Sequence, residues 1–136
     1  MKFTQTSGSR LLKFLAIGFL LLLANSSYLA AFDYPNVFYI LNLGLHFGLG
    51  LLLTLLFRVF LTKNWRAMTA GGKIGSLLLL ASAGLGTFIL IFGATRPYFG
   101  FGKPVKWAAT SHVIAGVVGV LIFALAVIRQ RTQRTF

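Results

Sequence analysis

The sequence of 136 residues contains no cysteine, a single acidic residue and only two histidines. Without cysteine there are no disulfides, no cysteine-ligated iron–sulfur cluster, no thiol catalysis and no covalent haem attachment through C-x-x-C-H. Charge is scarce as well. Charged residues make up 10% of the chain, against about 25% in a typical soluble domain. That is too little polar surface to clothe a water-soluble globule of this size. The lone acid, Asp33, stands against 13 Lys and Arg, a net charge of +12. An excess of this kind can signal nucleic-acid binding, but here the cations sit in short connectors between apolar runs and form no basic face. They fit loops facing a cytoplasm and an anionic leaflet.

What the chain has in abundance is hydrophobic residues, 57% of the total. They gather in four runs, Leu11–Phe32, Val37–Leu61, Ile74–Ala94 and Val105–Ile128. Each run is long enough to cross about 30 Å of hydrocarbon as a helix. Lipid offers no partner for backbone N–H and C=O groups, so a spanning segment satisfies them internally, as a helix. Barrel strands would be about half as long and would alternate in polarity; no such alternation is present. The first run resembles a signal peptide in its basic start and Leu29-Ala30-Ala31 stretch. It is nevertheless long enough to span and is read as retained. The expectation is a single all-α integral membrane domain over 1–136, a four-transmembrane-helix up-down bundle.

The connectors predict its orientation. Lys2, Arg10, Lys13, Arg58, Lys63, Arg66, Lys73, Arg129, Arg131 and Arg134 fall on one side, and Arg96, Lys103, Lys106 and Asp33 on the other. The positive-inside rule then places both termini in the cytoplasm of a bacterial plasma membrane. Asp33-Tyr34-Pro35-Asn36 reads as a tight outer turn. Thr95–Pro104 reads as a longer outer connector whose aromatics belong either to an interfacial belt or to a docking surface.

His46 and His112 both lie inside spans, where ionisable residues are expensive and mark functional sites by default. A faint repeat of helical hairpins places each near the outer end of its hairpin's second helix. At 1.5 Å per residue His46 is about 13 Å from Val37 and His112 about 10 Å from Val105. Two imidazoles at one depth on alternate helices can face each other across a bundle core. Small residues surround them: Gly48 and Gly50 near His46; Ala108, Ala109, Ala115, Gly116 and Gly119 around His112; Ala81, Ser82, Ala83, Gly84 and Gly86 on the third helix. A flat macrocycle held by two axial imidazoles needs such neighbours, although small residues are also common at plain helix contacts in membranes. Zinc or copper would need further ligands that are not nearby. A proton relay would need a carboxylate in the spans, and there is none. Asn25, Ser26, Ser27, Asn42, Thr87 and Thr110 are candidate acceptors for imidazole N–H groups, or bond their own backbones. Arg96, Lys103 and Lys106 are the cations nearest to outward-pointing haem propionates.

The four-span layout with His46 and His112 in glycine-rich surroundings resembles small bacterial membrane b-type cytochromes of the cytochrome b561-like group. The resemblance implies non-covalent haem b and electron transfer with quinol or a membrane or periplasmic redox partner. Many such proteins carry four or more intramembrane histidines and two haems. This chain has ligands for one, with His46 and His112 as the axial pair and Gly50, Gly116, Arg96, Lys103 and Lys106 beside it. The expected function is electron transfer within a larger complex, with no enzymatic activity of its own. The competing reading is a cofactor-free structural or assembly subunit. A transporter is disfavoured, because no span carries an interior charge pair or a proline break.

Overall fold

The computed structural model describes residues 5–32, 36–94 and 103–132, and side chains within 10–32, 36–92, 107–130 and 132. Over these residues it is all-helical. Helix α1 runs Gln5–Ala31, α2 Val37–Asn64, α3 Ala70–Ala94 and α4 Lys103–Thr132, with a 3-10 turn at Trp65–Ala67 between α2 and α3. All four contain stretches long and apolar enough to cross a membrane. Within those stretches only 11–22% of residues are buried by the protein itself. Large apolar side chains such as Val37, Leu20 and Ile91 project outward, where water would penalise them and lipid does not. The chain is a multi-pass membrane protein.

The helices overrun the predicted spans. Helix α1 starts six residues before Leu11, α2 ends at Asn64 and not Leu61, α3 starts at Ala70 and not Ile74, and α4 runs 103–132 and not 105–128. Hydropathy locates only the part of a helix inside hydrocarbon; the ends are set by capping. Asn36 starts α2 by accepting the Tyr39 N–H on its Oδ1 at 2.8 Å. Thr69 starts α3 in the same way, its Oγ1 accepting the Gly72 N–H at 3.2 Å. Residues 33–35 of the predicted outer turn, and residues 95–102 of the second outer connector, lie outside the described residues. Hydroxyls along the spans bond back one turn, Ser27 to Leu23 O, Thr54 to Gly50 O, Ser76 to Gly72 O and Thr87 to Ala83 O. An apolar helix can carry them for that reason.

The chain divides between Lys63 and Asn64 into two compact units, each one helical hairpin. In the first, Gly18 of α1 lies under the buried Leu53 of α2, and a methyl group there would run into that leucine side chain. One turn away Phe19 meets Phe57 edge-on, with ring centroids 5.9 Å apart.

In the second unit, facing residues step one for one in opposite directions. Gly71 lies against Ala126, Gly75 against Phe123, Leu79 against Gly119, Ser82 against Gly116 and Gly86 against His112. Helices α3 and α4 are thus antiparallel, and glycine on one or the other lets the backbones approach. A Cβ at Gly75 would sit 2.7 Å from the Phe123 backbone nitrogen. Lipid supplies no hydrophobic force to bring helices together, so close packing of this kind is what holds the hairpin. Gln130 adds a latch near the end of α4, donating from Nε2 to the Ala67 carbonyl at 2.8 Å.

Candidate functional site

Each hairpin sets its histidine on the second helix against a serine on the first. In the second hairpin, His112 Nδ1 lies 2.7 Å from the Ser82 carbonyl oxygen. A carbonyl only accepts, so Nδ1 carries the proton and donates it. The Ser82 hydroxyl oxygen is 3.1 Å from the same nitrogen and donates its own proton to the His112 carbonyl at 2.9 Å. Ser82, 7% exposed, therefore grips the histidine through its backbone and its side chain together. Gly86 completes the seat: a Cβ there would be 3.1 Å from His112 Cε1, so any larger residue would press on the ring.

In the first hairpin, His46 Nδ1 lies 3.3 Å from Ser26 Oγ. The Ser26 proton is already donated to the Leu22 carbonyl at 2.7 Å. Its oxygen is left able to accept from Nδ1–H. His112 is thereby held with Nδ1 protonated, and the Ser26 contact is compatible with the same tautomer at His46. Metal-ligating histidines are ordinarily held in just this way, the N–H fixed by a carbonyl or other acceptor and the second nitrogen directed to the metal.

One turn from His46 toward the start of α2, Asn42 and Asn25 join the two helices of the first hairpin. Asn25 Nδ2 donates to Asn42 Oδ1 at 3.2 Å, and Asn42 Nδ2 donates to the Phe38 carbonyl at 2.8 Å. Asn25 Oδ1 is fully buried and accepts no hydrogen bond among the described residues. Tyr28 packs beside this pair, with Phe32 at 4.9 Å and Phe38 at 5.5 Å between ring centroids.

The glycines named from the sequence separate into two kinds. Gly50, one turn from His46, would place a Cβ in open space, as would Gly48 and Gly84. Gly116 lies against Ser82 Oγ at 3.1 Å and serves the helix contact. Ala108 is fully buried. Of the expected outer cations, Arg96 lies outside the described residues, and Lys103 and Lys106 fall in the first turn of α4, with their side chains outside them. Among the described residues no three His, Cys, Asp or Glu side chains come together. The donor set available to a metal is therefore two separate imidazoles, His46 in one hairpin and His112 in the other.

Ser82 is the residue that sequence reasoning passed over, taking it for a small neighbour only. Its role depends on the register between α3 and α4, and no local pattern encodes that. Comparison with known proteins finds no matching family model, no matching curated protein and no matching solved structure.

Proposed function

We propose that the protein is a membrane electron-transfer subunit that binds one haem b, with His46 and His112 as its axial ligands. The observation that carries this reading is the serine contact that the two histidines share. Two imidazoles within the spans, each with Nδ1 against a serine of the neighbouring helix, would offer Nε2 to an iron centre. Open space at Gly50 beside His46 supports it further, because a flat macrocycle needs room that a Cβ would take. A haem with both axial positions filled by imidazole supplies one-electron chemistry and is closed to substrate.

The chain's own residues do the rest. Ser26 and Ser82 orient the imidazoles by accepting Nδ1–H. The apolar spans exclude water. Arg96, Lys103 and Lys106 are the cations proposed to pair with propionates on the outer side. A membrane quinol is the proposed electron source. The second electron partner is proposed as a membrane or periplasmic redox subunit.

A second reading, a cofactor-free structural or assembly subunit, is favoured by one observation: the Ser82–His112 contacts also work as a clamp between α3 and α4. Absorbance separates the two. The purified protein is expected to show a Soret band and a sharp reduced α-band at one haem per chain, whereas a colourless protein would leave the clamp as the histidine's role.

The proposed orientation has both termini in the cytoplasm of a bacterial inner membrane, on the ten-to-three distribution of Lys and Arg between the two sides. Single cysteines introduced at Arg131 and at Gly100 are expected to react with a membrane-impermeant maleimide from opposite sides. Labelling of both from one side would overturn the topology.

A further inference from the structure

We propose that the α2–α3 connector, closed by the end of α4, is a binding site for the headgroup of an anionic phospholipid. Three segments, each carrying a cation, meet there. Arg66 is exposed in the 3-10 turn. Lys73 lies in the first turns of α3 with its Nζ 5.7 Å from the centre of the Trp65 ring. Arg129 is exposed on α4, next to Gln130, whose bond to the Ala67 carbonyl ties that helix to the connector. None of the three makes an ion pair with a described residue, and the chain's one acidic side chain is Asp33.

The location selects the ligand. The connector joins two membrane-length apolar helices, so it lies at the level of lipid headgroups. Trp65, 38% exposed, is a residue type that settles at that level. Its ring holds the Lys73 ammonium by a cation–π contact and so fixes one of the three charges. A connector carrying these three cations fits a phosphate diester at the surface of the bilayer, where each nearby Lys or Arg is worth about 1 kcal/mol. The site lies within a single hairpin and does not depend on haem.

The test uses the full chain in detergent with phosphatidylglycerol as probe and phosphatidylcholine as the zwitterionic control. Native mass spectrometry counts retained lipid. The triple variant Arg66→Gln, Lys73→Gln, Arg129→Gln is compared with a triple variant removing equal charge elsewhere, Arg10→Gln, Lys13→Gln, Arg58→Gln. By the energy per cation above, the connector variant is expected to lose phosphatidylglycerol affinity by about a hundredfold, and the control by less than about threefold. Equal losses in both would mean diffuse attraction and overturn the site.

Contact is read separately in a Trp107→Phe background, where Trp65 is the only tryptophan. Brominated phosphatidylglycerol is expected to quench its fluorescence more than brominated phosphatidylcholine does, and inorganic phosphate is expected not to reverse the difference. Equal quenching by the two lipids, or reversal by millimolar phosphate, would count against a lipid-headgroup site.

Discussion

Replacing either His46 or His112 by alanine is expected to abolish stable haem binding while leaving the helices inserted. Insertion depends on the summed hydrophobicity of a span, which a histidine-to-alanine change improves slightly. Haem retention depends on two axial bonds, because a chain without cysteine has no covalent tether for the porphyrin. No third histidine can substitute, and the only thioethers are Met1 and Met68. Loss of an outer hydrogen-bond partner lowers metal affinity by about 10–100-fold, and loss of the ligand itself should exceed that. Both variants should give the same result, an apo-protein or a weakly held high-spin haem, measured as pyridine haemochrome per chain. If both keep a wild-type low-spin spectrum, the histidines are not the ligands, and the clamp between α3 and α4 becomes the better account of His112.

The largest effect on stability is expected at Gly75. The atoms nearest to an added Cβ there are backbone: Phe123 N at 2.7 Å, Gly119 O at 3.0 Å and Phe123 Cα at 3.0 Å. A side chain can swing aside, but the backbone of α4 moves only as part of its helix. Gly75→Val is therefore expected to open the hairpin and cost more than the 1–3 kcal/mol typical of overpacking. Gly75→Ala should cost about that much, despite alanine's better helix propensity. Gly84 is the control on the same helix, with nothing within 4 Å of its added Cβ. Gly84→Ala should be neutral or stabilising by up to about 1 kcal/mol. Thermal unfolding in detergent reads the contrast, and a rise in melting temperature for both alanine variants would contradict the close approach of α3 and α4. Part of the cost should spread to His112, because the register that brings Gly75 against Phe123 also brings Ser82 and Gly86 against the imidazole.

The same comparison explains what the sequence could and could not reveal. The four spans were legible because twenty or so apolar residues in a row have few structural outcomes. The start of α2 at Val37 and the end of α3 at Ala94 were legible too, but α3 starts four residues before Ile74, where Thr69 caps it by a side-chain bond that hydropathy does not weigh. His46 and His112 stood out because an imidazole at hydrocarbon depth is unusual. The small residues around them looked alike on paper: Gly84, Gly86 and Gly116 all read as room for a cofactor. In the structure Gly86 seats the His112 ring, Gly116 receives Ser82, and Gly84 faces open space. That sorting follows from how α3 is shifted along α4, a quantity fixed by many weak contacts and recorded in no short motif. Ser26 was legible as a possible partner of His46, while Ser82, which holds His112 more tightly, was not.

The central claim is that two imidazoles of this chain ligate one haem iron. Electron paramagnetic resonance of the oxidised purified protein, with iron counted on the same sample, tests it most directly. The expected result is a low-spin ferric signal of the bis-imidazole type, at one iron per chain, that is missing from both His46→Ala and His112→Ala. A purified, folded protein without iron, or a low-spin signal that survives both substitutions, would contradict it.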